Sequence, residues 1–146
     1  MKAQRPDKLR ILFVCYGNIC RSPMAVGIAN KRPGGSIVAE SAGIRPAGDK
    51  ASPEAVIAMK VGFGADISGH RPKHFADVSP EAFDYVIAMD LMVYNRLVES
   101  RRFPDKKLFV WDIEDPLGFG VDVYKHVAQK IEARLEQFLE NIEAGR

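Results

Sequence analysis

Blocks of apolar residues alternate with mixed polar segments along this chain, and their lengths and periods predict strands followed by helices. Short apolar runs predict four strands, at residues 8–14, 36–41, 83–89 and 107–111. The first and third runs are apolar at most positions, which is typical of strands that are buried on both faces of a sheet.

Helical patterns follow each of these strands. They cover residues 22–30, 53–59, 92–100 and 123–144. In the last of them apolar residues recur every three or four positions, the pattern of an amphipathic helix that packs on a sheet. Ser22 is predicted as N-cap of the first helix, with Pro23 at its first position. Gly62 and Gly64 are predicted to close the second. The alternation predicts an α/β fold, a single domain over residues 1–146 with a four-stranded parallel sheet and helices on both faces.

Composition narrows the classes of protein to which this chain can belong. Its 146 residues are 47% hydrophobic and 27% charged, with a net charge of +2, which are ordinary values for a globular domain. No block of lysine and arginine stands out, so no nucleic-acid partner is expected. The basic start at residues 1–5 precedes an apolar run at 11–14 that is too short for a signal peptide or a membrane span. We therefore predict a cytoplasmic protein without a membrane partner, and a monomer.

Cysteine and histidine usage argues against a disulfide framework of the secreted type and against a zinc site. The two cysteines, Cys15 and Cys20, stand in one short segment, unlike the framework of a disulfide-stabilised secreted protein. His70, His74 and His126 are scattered, and none has the spacing of a zinc site. We therefore predict no metal and no cofactor.

The candidate chemistry lies in residues 15–22, Cys-Tyr-Gly-Asn-Ile-Cys-Arg-Ser, between the first predicted strand and the first helix. Open α/β sheets bind ligands at this place, and a helix N-terminus offers unpaired N–H groups and partial positive charge to an anion. Gly17 allows a sharp turn close to a ligand, and the planar guanidinium of Arg21 can hold two phosphate oxygens. The same positive surroundings favour the thiolate of Cys15, its nucleophilic form.

On these residues alone, a core cysteine followed by a surface arginine is an open alternative. The wider segment 14–25 resembles the signature of the low-molecular-weight protein tyrosine phosphatases, in which a strand leads into Cys-x-Gly-Asn-x-Cys-Arg-Ser and a helix. Further matches, in the same order as in the family, are Glu40-Ser41-Ala42-Gly43, Gly69-His70-Arg71, residues 83–90 and Asp115-Pro116. The resemblance extends over nearly the whole chain and implies the family's fold, with the phosphate loop between the first strand and the first helix.

The resemblance implies hydrolysis of phosphate monoesters, above all protein phosphotyrosine, in two steps through a phosphocysteine on Cys15. The loop would bind the phosphate and stabilise the transition state; its residues are Tyr16, Gly17, Asn18, Ile19, Cys20 and Arg21. Spacing alone leaves three carboxylates after the fourth strand, Asp112, Glu114 and Asp115, open as the general acid, and Asp115-Pro116 also fits a plain turn. The family's Asp-Pro pattern selects Asp115, which would act first as acid and then as base.

The resemblance also assigns supporting residues. Asn18, Ser22, Ser41 and His70 match the family's polar network, in which Asn18 would hold a backbone conformation of positive φ and Ser22 would hydrogen-bond to the Cys15 thiolate. Cys20 would form a disulfide with Cys15 under oxidation and so protect the nucleophile from irreversible damage. The ordinary alternatives are a packing role for Cys20, an N-cap for Ser22 and a surface position for His70.

The expected partner is a tyrosine-phosphorylated protein or a small aryl phosphate. The residues that would line the substrate cleft beside the general acid depart from the family's pattern. Leu117 and Gly118 stand where many members carry two tyrosines, so the preference for phosphotyrosine is less well specified than the phosphatase chemistry. Relatives that prefer phosphoarginine tend to carry threonine at the position of Ile19, and the isoleucine therefore favours an aryl phosphate.

Two alternative functions remain open. Arsenate reductases related to this family relay electrons through further cysteines, and because none follows Cys20, only a variant that uses an external thiol fits this chain. The other alternative is a non-catalytic module that binds phosphorylated partners. Such modules usually lack the nucleophile or the general acid, whereas Cys15 and Asp115 are both present.

Overall fold

A computed structural model describes residues 8–145, which form a parallel sheet flanked by helices. The strands are β1 (Leu9–Cys15), β2 (Ile37–Gly43), β3 (Tyr85–Ala88) and β4 (Leu108–Val110). The helices are α1 (Arg21–Asn30), α2 (Pro53–Phe63), α3 (Leu91–Ser100) and α4 (Val121–Ala144). All neighbouring strands are parallel, in the order β2-β1-β3-β4. The predicted α/β fold with four parallel strands is confirmed; the predicted basic start at residues 1–5 lies outside the described residues.

The central strand β1 is buried on both faces, as its unbroken apolar run predicts. Ile11 and Phe13 belong to the core that α1, α2 and α4 form on one face, and Leu12 and Val14 belong to the core on the α3 side. This alternation follows from the two-residue period of a strand. It confirms the prediction that helices cover both faces of the sheet.

Local side-chain chemistry accounts for the limits of α2 and α3. The Ser52 hydroxyl accepts a hydrogen bond from the Ala55 N–H at the start of α2, and that helix ends at Gly64, whose φ of 64° suits glycine. Asp90 caps α3 in the same way by accepting from the Val93 N–H. The predicted end of α2 was four residues too early, because Gly62 lies within the helix instead of closing it.

The start of the first helix differs from its prediction. Helix α1 begins at Arg21, Cys20 occupies the N-cap position without a side-chain cap, and Pro23 is the third helical residue. The predicted N-cap role of Ser22 is therefore wrong, because its hydroxyl is directed into the preceding loop, where it contacts Cys15. The strands also differ at their ends: β2 continues to Gly43, while β3 and β4 are shorter than their apolar runs.

No helix within residues 8–145 combines the length and the apolar character that crossing a bilayer requires. Nor do three or more histidine, cysteine, aspartate or glutamate side chains in this part of the chain gather in a way that would hold a metal ion.

The end of β2 lies very close to the loop that follows β1. A Cβ placed on Gly43 would lie 2.9 Å from the carbonyl oxygen of Tyr16 and 2.9 Å from the Cβ of Asn18, distances that real Cβ atoms essentially never show. Glycine at this position therefore allows the two segments to approach each other, and the loop after β1 is shaped by contact with β2 as well as by its own sequence.

We expect Gly43→Ala to destabilise the protein by about 1–3 kcal/mol, since the methyl group must displace backbone atoms in a packed region. Gly62→Ala is the matched control, because nothing lies within 4 Å of its added Cβ. Alanine replaces glycine inside a helix there and should stabilise the protein by roughly 0.5–1 kcal/mol. Urea unfolding of both variants measures the difference, and equal stabilities would contradict the close approach at Gly43.

Candidate active site

A cavity of about 260 Å³ opens where the strands end. Its lining residues are Cys15, Tyr16, Gly17, Ile19, Cys20, Arg21, Arg45, Pro46, Ala47, Asp115 and Leu117. The loop after β1 forms its floor. Residues 45–47, after β2, form one side, called here one bank, and Asp115 and Leu117, after β4, form the other bank. A larger groove of about 390 Å³ lies along α1 and residues 64–70, but no cysteine or arginine lines it. The smaller cavity therefore holds the candidate chemistry.

Cys15 lies at the floor of this cavity, surrounded by hydrogen-bond donors. The backbone N–H of Asn18 donates to its sulfur at 3.2 Å, and the Ser22 hydroxyl lies 3.0 Å from it. The residue is only 2% exposed. The sulfur thus has a potential hydrogen-bond donor on each of two sides.

Asn18 organises the loop from beneath. It has a φ of 58°, in the left-handed region that asparagine tolerates better than most residues. The positive φ that the resemblance implied for Asn18 is therefore present. Its side chain is fully buried and makes three hydrogen bonds, each of which joins it to a different segment. It accepts from the Lys73 N–H at 2.9 Å and donates to the hydroxyls of Ser22 and Ser41, each at 2.9 Å.

This network fixes the direction of the Ser22 hydroxyl. The backbone N–H of Lys73 can only donate, so the atom of the Asn18 amide that faces it must be the oxygen. The Asn18 NH₂ group then points at both serines and occupies an acceptor position on each. The proton of Ser22 remains free to donate to the sulfur of Cys15, 3.0 Å away.

His70 supports the same loop through its backbone. Its Nε2 atom lies 2.6 Å from the Asn18 carbonyl oxygen, which can only accept, so Nε2 carries the proton. Burial lowers the pKa of His70 from its ordinary value of 6.5, against the opposing effect of this hydrogen bond. The imidazole is therefore neutral at pH 7.

Arg21 is held rigidly at the edge of the cavity. It is 3% exposed, and its Nη1 donates to Asp90 at 2.8 Å and to the Ile113 carbonyl at 2.9 Å. Sequence reasoning did not assign Asp90 to the site. The available signal was its position directly after an apolar strand, at the start of a helix, where the carboxyl ends of parallel strands meet. Asp90 also caps α3, so its contact with Arg21 fixes the orientation of the guanidinium relative to that helix.

The three candidate acids after β4 occupy different surroundings. Only Asp115 lines the cavity, where its Oδ2 lies 3.8 Å from Nη2 of Arg21. Glu114 accepts a hydrogen bond from Lys130, which holds the pKa of Glu114 below its ordinary value. Asp112 is absent from the lining. The geometry thus agrees with the choice of Asp115 that the Asp-Pro pattern suggested.

Cys20 has other side-chain partners than Cys15. Its sulfur lies 3.3 Å from the Tyr124 hydroxyl and 3.6 Å from the Ser52 hydroxyl, and both cysteines are free thiols. Burial raises the pKa of the Cys20 thiol, although these hydrogen bonds oppose the shift. Burial also raises the pKa of Tyr124 well above its ordinary value. Sequence reasoning treated the region of Tyr124 only as an amphipathic helix, because nothing in that pattern shows that one core tyrosine reaches the phosphate loop.

A family model, described as low molecular weight phosphotyrosine protein phosphatase, matches residues 10–146. The chain belongs to this family. As a member it is a cysteine-dependent phosphatase. Its family acts on phosphorylated proteins or small phosphates.

Individual relatives cover the whole domain but differ in their named activities. The chain is 33% identical to a protein-arginine-phosphatase of Bacillus subtilis, over 93% of this chain and 98% of that one. It is 31% identical to a glutaredoxin arsenate reductase of Synechocystis, over 91% and 98%. The crystal structure of a low molecular weight protein tyrosine phosphatase from T. tengcongensis superposes with a TM-score of 0.84, at 37% identity, over 92% of this chain and 99% of that one.

The residues that the resemblance singled out in this phosphatase thus meet at one edge of the sheet, though not all in the cavity. Seven of them line it, namely Cys15, Tyr16, Gly17, Ile19, Cys20, Arg21 and Asp115. Asn18, Ser22, Ser41 and His70 lie outside the lining and contact the loop from beneath or beside it. Of these four residues, the Asn18 N–H and the Ser22 hydroxyl contact the Cys15 sulfur, whereas Ser41 and His70 contact Asn18.

We expect Asn18→Asp to reduce phosphatase activity although aspartate tolerates the same φ. The carboxylate cannot donate to Ser22, whose proton would turn toward it and away from the Cys15 sulfur. The loss of kcat/KM should be about 10- to 100-fold, as expected for a disrupted buried hydrogen bond.

Ser41→Ala is the control for this variant, because it removes one partner of Asn18 without turning the Ser22 hydroxyl. Iodoacetate alkylation of Cys15 at neutral pH should slow in Asn18→Asp much more than in Ser41→Ala. Equal rates in the two variants would contradict the proposed orientation of Ser22.

The lowered pKa of His70 predicts a pH dependence of stability. Above pH 6.5 the imidazole is neutral in both states, so it contributes no pH dependence. Below that value the unfolded chain takes up a proton that the folded protein resists, and the free energy of unfolding falls as the pH drops through the folded pKa.

Urea unfolding between about pH 8 and pH 5 tests this expectation. His70→Gln should flatten the decline, while His126→Gln, at an exposed position, should leave it unchanged. Parallel pH profiles for the wild type and His70→Gln would show that the imidazole does not resist protonation.

Proposed function

We propose that this enzyme hydrolyses aryl phosphate monoesters, foremost phosphotyrosine in proteins, through a phosphocysteine on Cys15. The observation that carries the proposal is the floor of the cavity, where a buried sulfur lies between two donors. Arg21 and Asp115 line the same cavity. A nucleophile, an anion-binding guanidinium and a general acid therefore share one space.

In the first step the Cys15 thiolate attacks phosphorus, so that an S–P bond forms while the ester P–O bond breaks. Arg21 and the N–H groups of the loop bind the equatorial oxygens, where charge is concentrated in the transition state. Asp115 gives its proton to the leaving oxygen. Arg21 needs no rearrangement for this task, because Asp90 and the Ile113 carbonyl already hold it.

In the second step Asp115, now ionised, takes a proton from a water molecule that attacks the phosphocysteine. A new O–P bond forms, the S–P bond breaks, and inorganic phosphate is released together with the thiolate. The Ser22 hydroxyl donates to the departing sulfur, which assists this step because the leaving group carries the developing charge.

The lining of the cavity supports an aryl substrate over phosphoarginine. Ile19 presents an apolar side chain there, and Tyr16 and Leu117 add further apolar surface. The apolar side chains of Ile19 and Leu117 would remove hydration from a guanidinium group without offering it a hydrogen bond, whereas an aromatic ring packs against them without that cost. The Bacillus subtilis relative is named as a protein-arginine-phosphatase, so phosphoarginine is among the substrates to be tested.

Cys20 would limit oxidative damage to this enzyme. Peroxide converts the Cys15 thiolate to a sulfenic acid, and attack by Cys20 would form a disulfide and release water, which a cellular thiol could reverse. The need to regenerate a reduced nucleophile supports action in the cytoplasm, where thiols are kept reduced.

We expect Asp115→Asn to lose more activity toward substrates with poor leaving groups than toward substrates with good ones. A phenyl phosphate needs a proton at its leaving oxygen, whereas a nitrophenyl phosphate needs it less, so the loss should be larger for phenyl phosphate. General acid catalysis typically contributes about 10²- to 10⁴-fold, which bounds the effect. Steady-state kinetics over a series of substituted phenyl phosphates measures it.

Glu114→Gln is the matched control, since this neighbouring carboxylate pairs with Lys130 outside the cavity. It should leave the dependence on the leaving group unchanged. Equal losses for all leaving groups in Asp115→Asn would remove Asp115 from the acid role. In the same assays, phosphoarginine or arsenate turned over faster than phosphotyrosine would overturn the proposed substrate.

A further inference from the structure

Arg45 occupies a fixed place at the mouth of the cavity. It follows β2, and its segment runs alongside the phosphate loop, to which it is joined by successive backbone hydrogen bonds. The N–H groups of Ile44, Arg45 and Ala47 donate to the carbonyls of Cys15, Tyr16 and Gly17, at 3.1, 2.8 and 3.1 Å. The backbone at Arg45 is therefore positioned relative to the reacting sulfur.

The guanidinium of Arg45 is available for a ligand. Its side chain lines the cavity and is exposed, and within residues 8–145 it takes part in no ion pair and no side-chain hydrogen bond. Arg21 differs in both respects, because it is buried and engaged by Asp90 and Ile113. One arginine is thus committed to the phosphate site, and the other can bind a second anionic group.

The two banks of the cavity differ in charge. The bank that carries Arg45 continues into Pro46 and Ala47, which are uncharged, whereas the opposite bank carries Asp115 and the apolar Leu117, 57% exposed. A peptide with its phosphorylated side chain in the cavity has its neighbouring residues at this mouth. A carboxylate on the flank that faces Arg45 would be attracted, and one on the other flank would not.

We propose that Arg45 is a specificity-determining residue that binds a carboxylate adjacent to the phosphorylated residue, so that acidic phosphopeptides are preferred substrates. This inference rests on the phosphatase function proposed above. Arginine suits the task because its planar guanidinium can bind a carboxylate through two parallel hydrogen bonds. Electrostatic attraction at the mouth would also speed the encounter with such substrates.

Matched phosphotyrosine peptides test the proposal. Each pair differs only in glutamate or glutamine at one position, placed before or after the phosphotyrosine. For the wild type we expect kcat/KM to favour glutamate by about two- to fivefold on one flank only, the range of an exposed ion pair. Added salt should reduce the preference.

Variants at Arg45 separate charge recognition from a general effect on the site. Arg45→Gln should bring the glutamate-to-glutamine ratio to about one, Arg45→Glu should invert it, and Arg45→Lys should restore part of it. Lys50→Gln is the matched control, because it removes a positive charge from an exposed residue of the same loop that does not line the cavity. It should leave the ratio unchanged.

A wild-type ratio near one on both flanks would overturn the inference, as would a preference for glutamate that survives in Arg45→Gln. Failure of the underlying function has a different signature, since the enzyme would then turn over neither the glutamine peptides nor a simple aryl phosphate. A preference for glutamate that is lost equally in Lys50→Gln would point to the net charge of the loop and also count against Arg45.

Discussion

The side-chain amide of Asn18 is the contact on which the active site depends. One backbone N–H, that of Lys73, determines which end of the amide faces which neighbour. The NH₂ group must then point at Ser22 and Ser41, and Ser22 in turn directs its proton to the Cys15 sulfur. A single buried side chain therefore couples the left-handed turn of the loop to the electrostatics of the nucleophile.

The parallel sheet supplies the partners of the loop from separate strand ends. Ser41 lies in β2, Asp90 follows β3 and Ile113 follows β4, and these three groups hold Asn18 and Arg21. Because all carboxyl ends of a parallel sheet lie at the same edge, segments that are distant in sequence meet around one anion site. The site is therefore preorganised by the fold as well as by the motif.

Two cysteines five residues apart have different surroundings. Cys15 is faced by an N–H and a hydroxyl that can donate to its sulfur, whereas Cys20 lies against Tyr124 and Ser52, where burial raises the pKa of its thiol. The two arginines at the cavity differ in a similar way. Burial and ion pairing commit Arg21 to the phosphate, while exposure leaves Arg45 free to bind what surrounds the phosphate.

The amino-acid pattern was sufficient for the fold and for the choice of candidate reacting groups. The apolar run of β1 predicts a strand buried on both faces, and the segment 15–22 with Asp115 carries the phosphatase signature, because period and spacing are local properties of a chain. Only the tertiary structure decided which side chains and backbone groups hold these candidate reacting groups in place. The contacts of Asp90 with Arg21 and of Tyr124 with Cys20 join residues that are distant in sequence, so no local pattern shows them. Ser22 is a partner of Cys15 instead of an N-cap because the folded loop directs its hydroxyl at the sulfur.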